Sequence, residues 1–147
     1  WDAGLVVVVA AGNNGPRTMS ITTPGISRKV STVGCSDDDR EVLVGGNRMV
    51  DYSGRGPTAA CICKPDLVAP GCSVVSCAGR ADKYTIKSGT SMSTPIVSGA
   101  TALLLERYPD MTNKDVKLKL RESCTDIGLP RNQQGWGLLD VEKLVSK

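Results

Sequence analysis

The sequence predicts an α/β chain built on a parallel sheet, and three stretches carry that prediction. Leu5-Val6-Val7-Val8-Val9-Ala10-Ala11 is a continuous apolar, β-branched run of strand length, the pattern of a parallel strand buried on both faces. Ile96 to Leu105 is a small and apolar run of helical character that follows directly on Gly89-Thr90-Ser91-Met92-Ser93-Thr94-Pro95. Val116, Leu120 and Cys124 recur at helical spacing behind Thr112-Asn113-Lys114-Asp115, a capping box with Asp in the acidic place.

The Gly89 to Pro95 stretch organises the rest. A glycine, two hydroxyl residues and a helical run with proline in its first turn put Ser91 at a helix N-terminus, where free N–H groups and the positive dipole end favour a developing anion. Ser91 is therefore the candidate nucleophile. Taken alone, Gly89-Thr90-Ser91 reads as an ordinary cap on a buried helix, since Ser and Thr at helix starts usually cap. The complete string, with Val97 and Gly99 following, closely resembles the nucleophile signature of the subtilisin-like serine proteases, Gly-Thr-Ser-Met-Ala-x-Pro-x-Val-x-Gly. Ser93 in place of Ala is the one departure in the core motif, and the added hydroxyl is expected to be tolerated.

From the amino terminus, the strand at residues 5–11 stops at Gly12-Asn13-Asn14-Gly15-Pro16, a turn by composition. Loops at the carboxyl ends of parallel strands are where ligands bind in open α/β sheets. Ala10-Ala11-Gly12-Asn13 resembles the subtilase segment whose asparagine amide donates to the oxyanion, which implies that role for Asn13; a plain turn is the alternative. Ala11, Gly12, Gly89 and Thr90 would then border the substrate. Thr22-Thr23-Pro24-Gly25 is a turn before a short strand ending at Cys35, and the resemblance puts Thr22 and Thr23 on the pocket for the residue preceding the scissile bond.

Ser36-Asp37-Asp38-Asp39-Arg40-Glu41 lacks the oxygen spacing of an EF-hand and reads as a solvated acidic turn. Asp51 to Pro57 and Lys64 to Gly71 resemble subtilase loops. By that resemblance Asp66 falls where some members bind a cation together with backbone carbonyls, here those of Arg28 and Val30; a carboxylate capping local N–H groups is the alternative. No cofactor is expected to be required, with calcium as the one optional ion. Residues 73–76 form another short strand, residues 84–88 lead into the nucleophile loop, and Tyr108-Pro109-Asp110 ends the helix after it. Gly135 to Leu144 reads as a turn and a final helix, and resembles the Gly-x-Gly-x-x-Asp segment near the end of subtilase catalytic domains.

Composition bounds the function. The 147 residues, 40% hydrophobic and 22% charged, fit one globular domain or part of a larger one, with a core of Val, Leu, Ile and Ala because Phe is absent. The net charge of +3 is spread without a basic run, which argues against a nucleic-acid partner. No apolar run approaches the roughly 20 residues of a membrane span, and none reads as a signal peptide. Six cysteines without a secreted context read as free thiols, and Cys61-Ile62-Cys63 lacks the usual zinc spacing. They favour a reducing, cytoplasmic compartment, with secretion left open.

The chain contains no histidine, so it cannot by itself assemble a Ser-His-Asp triad. The expectation is a partial subtilase catalytic domain over residues 1–147: the carboxyl-terminal, nucleophile and oxyanion part of a three-layer subtilisin-like fold, with the Asp and His motifs elsewhere. Three classes of function remain: a serine endopeptidase acting on peptide or protein substrates once the amino-terminal half of the domain is supplied, a non-catalytic binding module derived from a protease, and one half of a split enzyme. Lacking the His and Asp, the isolated chain is expected to be inactive; cutting the sheet ahead of Leu5 exposes a Val-rich edge, so it is also expected to self-associate or refold its amino terminus over that edge.

Overall fold

The computed structural model describes residues 1–79 and 83–146. Its centre is a five-stranded sheet of β1 (Val8–Ala10), β2 (Ser31–Cys35), β5 (Leu67–Ala69), β9 (Leu138–Leu139) and β8 (Cys124–Thr125), in that spatial order. The β1/β2, β2/β5 and β5/β9 pairs are parallel, and only β8 runs against its neighbour. Two antiparallel hairpins stand apart from this sheet: β3 (Val42–Val44) with β4 (Asn47–Met49), and β6 (Val74–Cys77) with β7 (Tyr84–Lys87). The helices are α1 (Thr90–Arg107), α2 (Asn113–Ser123), the single turn α3 (Arg131–Gln134) and α4 (Val141–Val145). A parallel-dominated α/β sheet is the expected class.

Helix α1 buries Thr90, Ser93, Val97, Ala100, Thr101 and Leu104, a stripe at three- and four-residue intervals that lies against β1, β2, β5 and α4. Val97, Ala100 and Leu104 meet Val33, Leu67 and Ala69 of the sheet, and Val116, Leu120, Leu139 and Leu144 close the same core. Each fully buried Leu or Val here contributes about 1.5–3 kcal/mol relative to an exposed position. Helix α2 begins with the expected capping box: Thr112 Oγ1 accepts from the Asp115 N–H at 3.2 Å, and Asp115 Oδ2 accepts from the Thr112 N–H at 3.1 Å. The helix stops at Ser123, one residue short of the predicted Cys124, because Cys124 turns extended to pair with Leu139.

Three expectations need correction. The strand read from residues 5–11 is only Val8–Ala10 and is half-buried, because β1 is the sheet edge and pairs on one side alone. Upstream of it, Asn113 Nδ2 donates to the carbonyls of Trp1 and Leu5 and draws the amino terminus toward α2, leaving Leu5 65% exposed and the β1 edge uncovered. The acidic turn is not solvated throughout: Asp38 is buried, its carboxylate accepting from the Ser53 N–H at 2.7 Å, while Asp37 Oδ1 accepts from the N–H groups of Gly71 and Cys72. Burial, only partly offset by that Ser53 bond, raises the Asp38 pKa above the usual carboxylate range.

The third correction concerns the cation expected at Asp66. Asp66 and the carbonyls of Arg28 and Val30 do converge, but the chain supplies the positive charge itself. Lys64, 1% exposed, donates from Nζ to Asp66 Oδ2 at 2.6 Å and to the Val30 carbonyl at 3.0 Å. Lys117 Nζ donates to the Arg28 and Val30 carbonyls at 2.9 and 2.8 Å and lies 3.7 Å from Asp66 Oδ2. Burial, opposed by Asp66, lowers the Lys117 pKa. A calcium ion would have to displace two amines from its oxygen ligands, so the residues do not fit one. The Thr32 N–H also binds Asp66 Oδ2, at 2.7 Å, which joins β2, β5 and α2 at one carboxylate.

Removing the buried amine while leaving its carboxylate strands a charge. Lys64→Met is expected to destabilise the fold by about 3 kcal/mol, toward the low end for a broken buried pair because Lys117 stands close enough to compensate in part. Urea unfolding of the two proteins measures this, and a loss below about 1 kcal/mol would mean that Lys117 alone neutralises Asp66.

Candidate active site

The carboxyl end of β1 and the amino end of α1 meet at one side chain. Asn13 Oδ1 accepts from the Thr90 backbone N–H and from Thr90 Oγ1, both at 3.0 Å, and Thr90 Oγ1 in turn accepts from the Gly12 N–H at 3.2 Å. With its oxygen held by two donors, the Asn13 amide has one orientation, and Nδ2 is the end left to face outward. That amide nitrogen lies 3.4 Å from where a side chain at Gly89 would begin, an ordinary contact, and the demand for glycine at position 89 comes from its φ of +140°.

Ser91 is the second residue of α1 and is solvent-exposed. The Thr90 N–H in the first turn is taken by Asn13, and the Met92 N–H bonds back to the Gly89 carbonyl. The Ser91 N–H belongs to the unsatisfied set at a helix start and points with the positive end of the helix dipole. Asn13 and Ser91, 78 positions apart in the chain (91 − 13), line one pocket of about 480 Å³ together with Gly89, Met92 and the tip of the β3–β4 hairpin.

The remaining predicted residues divide into two groups. Gly89 borders the pocket. Ala11 and Thr90 are both 0% exposed and stand behind it, so they position Asn13 and do not offer a surface to a ligand. Gly12 and Thr22 are half-buried and touch: the Thr22 N–H donates to the Ala11 carbonyl at 3.0 Å, and a Cβ on Gly12, whose φ is +92°, would collide with Thr22 Oγ1. Thr23 is exposed beside them.

Two parts of the site were not read from the sequence. The β3–β4 hairpin contributes Leu43, Val44, Gly45 and Gly46 to the pocket wall. Its signal was present, since Gly45-Gly46 between two three-residue arms is a two-residue turn and both glycines have positive φ, +58° and +90°. Lys87 is the one titratable residue lining the pocket among the described residues, and no hydrogen bond joins it to Ser91.

Pro95 lies further into α1 than expected, sixth in the helix and not in its first turn, so the Ser91 carbonyl lacks the N–H that would normally reach it from residue 95. Ser93, in contrast, is fully buried against Gly71, and its hydroxyl has no hydrogen-bond partner.

A serine on a helix N-terminus, opposite a side-chain amide fixed at the end of a parallel strand, defines an α/β protein whose site sits at the carboxyl edge of the sheet. Comparison with known proteins gives the family. The chain belongs to the subtilase family, whose family profile matches residues 1–137. It is similar to the serine protease AprX of Bacillus subtilis (strain 168), with 40% identity over 139 residues, covering 86% of this chain and 31% of that protein. Subtilisin DY of Bacillus licheniformis is 34% identical over 144 residues, covering 97% of this chain and 47% of that one. Among solved structures, the prenylagaramide maturation protease PagA superposes with a TM-score of 0.74 at 24% identity, over 98% of this chain and 50% of that one, and shares the fold. The CspB protease of Clostridium perfringens gives 0.70 at 28% identity, over 88% of this chain and 29% of its own. The chain thus spans half or less of the length of each of these relatives.

Deleting the unpartnered hydroxyl removes a desolvation penalty without changing the packing volume much. Ser93→Ala is therefore expected to stabilise the fold by about 1 kcal/mol, read as a higher urea midpoint with an unchanged slope. A destabilisation would mean that Ser93 Oγ has a partner in solution.

Proposed function

We propose that this chain is the nucleophile and oxyanion part of a subtilisin-like serine endopeptidase that hydrolyses peptide bonds through an acyl-enzyme on Ser91. The observation that carries the reading is the Asn13 amide: its oxygen is tied to Thr90, which leaves Nδ2 as a fixed donor in the pocket that Ser91 shares. Attack by Ser91 Oγ on a substrate carbonyl transfers charge to the carbonyl oxygen, and Asn13 Nδ2 with the Ser91 N–H would receive it at the positive end of α1. Fixed donors of this kind lose little in reorganisation as the charge develops.

The base is not in these 147 residues as a histidine, since there is none. In this reading the imidazole and its carboxylate come from polypeptide outside the chain, and that polypeptide covers the β1 edge. A groove of about 620 Å³ lies there between residues 4–8 and the Ser98, Ala102 and Leu105 side of α1, open to side chains of a further strand. Left unpaired, the same edge would template association between copies. The six unpaired thiols favour a reducing compartment.

An alkyl fluorophosphonate, which reports an activated serine, tests this directly. In subtilisin the loss of Ser or His alone lowers turnover about 2 × 10⁶-fold, so the 147-residue chain should not be labelled, and labelling of Ser91 should appear once polypeptide bearing the Asp and His motifs is supplied. Stoichiometric labelling of the chain alone, abolished by Lys87→Met, would instead make Lys87 the base. In the completed enzyme, Asn13→Ala should lower kcat by about 10²–10³-fold with little change in KM, the magnitude known for an oxyanion donor in subtilisin; an unchanged kcat removes Asn13 from the mechanism.

Light scattering on the isolated chain is expected to show association that supplied amino-terminal polypeptide reverses. A monodisperse monomer at high concentration, with Val8 and Val9 amides exchanging like free chain, would mean that copies do not pair through this edge and that nothing covers it.

A further inference from the structure

Behind the pocket, a second group of side chains gathers that the proposed chemistry does not use. Cys35 ends β2 and is 0% exposed; Asp37 follows two residues later; Cys72 comes from the turn after β5 and is half-buried. Cys35 Sγ lies 3.1 Å from Asp37 Oδ1, and Cys35 Sγ, Asp37 Oδ1 and Cys72 Sγ all fall within 4.8 Å of one another. The Tyr52 hydroxyl sits 3.2 Å from each sulfur and donates to the Gly71 carbonyl at 3.3 Å.

We propose that Cys35, Cys72 and Asp37 form a binding site for one soft divalent cation of the zinc and cadmium class. Ligand bonds of about 2.3 Å to sulfur and about 2.0–2.2 Å to carboxylate oxygen, in tetrahedral geometry, separate such donors by about 3.5–3.8 Å. The three atoms already lie within about 1 Å of that arrangement, and only side-chain torsions need to change. The Gly71 N–H at 2.8 Å and the Cys72 N–H at 3.1 Å hold the same Oδ1, so the cation takes the place of the Cys35 S–H proton at that oxygen or binds through Oδ2. Tyr52, fully buried, has a single O–H, which can turn from the Gly71 carbonyl to one of the two thiolates, the outer contact that ligating groups usually have. Two sulfurs select a soft ion over calcium or magnesium.

Without a metal, both thiols are protonated: burial pushes Cys35 and Cys72 up, opposed by the Tyr52 hydroxyl, and the Asp37 carboxylate raises both. Binding therefore exchanges two thiol protons for one divalent cation. Two sulfur–metal bonds and one oxygen–metal bond form, two S–H bonds break, and no oxidant is involved. The half-buried Cys72 side gives entry and leaves a fourth position for water. Occupancy would clasp the end of β2 to the Gly71 turn, whose carbonyl already receives the Gly89 N–H at 2.9 Å, so the site sits one hydrogen bond from the Ser91 loop.

The test uses the 147-residue chain with its exposed thiols removed, Cys61→Ser/Cys63→Ser/Cys77→Ser. Cadmium(II) is added while thiolate-to-metal charge-transfer absorption and proton release are followed. The expected result is saturation at one equivalent with two protons released, competition by zinc, and an affinity that rises by about a hundredfold per pH unit while both thiols start protonated. In the same background Cys72→Ser should abolish stoichiometric binding, and Asp37→Asn should weaken it at least tenfold, with native circular dichroism in both. Absence of the band at one equivalent in the folded background protein, or a band and stoichiometry unchanged by Cys72→Ser, would overturn the site.

Discussion

Asn13 Oδ1 accepts two hydrogen bonds from Thr90, and through them the end of β1 is fixed to the start of α1. Most of the site's geometry follows from that contact. The two donors decide which end of the amide faces the pocket, Gly12 must be small enough for Thr22 to lie against it, and Gly89 supplies the φ of +140° ahead of the helix. Thr90 has to be buried to take part, which sets the rotation of α1 and so presents Ser91, one residue on and about 100° around the helix, to solvent. The apolar stripe from Val97 to Leu104 holds the helix in that rotation against the sheet.

The elements that were legible in the sequence are those whose signals are local. The capping box at Thr112 and Asp115 needs four residues and is met as written. The end of α1 before Pro109 and the β2 strand are similarly short-range. Ser91 and Asn13 were legible for another reason: their side chains are chemically specific, and the order of motifs along the chain implied that they meet, which they do at one pocket. What could not be read depended on partners far away in sequence. Leu138–Leu139 is a strand only because β5 and β8 lie on either side of it, and nothing in two leucines before a helix announces that. Asp37 and Asp38 looked like solvent residues by composition, yet each is spent on backbone N–H groups from other loops. At Asp66 the oxygens were found but not the lysines: Lys64 lies two residues away and Lys117 51 (117 − 66), and neither advertises an inward direction.

The polar groups under the sheet edge differ in how completely they are satisfied, and the differences track position. Asp66 and Asp37, which join separate segments, each have two or more donors, and Asp38 has one short bond from the Ser53 N–H. Ser93, beside the Gly71 turn, has none for its hydroxyl, and the Ser91 carbonyl lacks its helical donor because of Pro95. The first two turns of α1 are therefore less firmly bonded internally than the rest of the helix, and what keeps them in place comes from outside: Asn13 below and the Gly71 carbonyl through Gly89 at the side. Local stability at Ser91 thus belongs to the loops around it more than to the helix that carries it.

The amines at Asp66 bear on how this fold meets its surroundings. A bound ion occupies its site according to its concentration outside, whereas an ammonium on a four-carbon tether arrives with the chain at an effective concentration that neither dilution nor chelation can lower. The joint between β2, β5 and α2 therefore forms in the same event as folding and has no unloaded state. Its strength answers to chemical modification of the two lysine nitrogens, which hold the oxygens of Asp66, Arg28 and Val30.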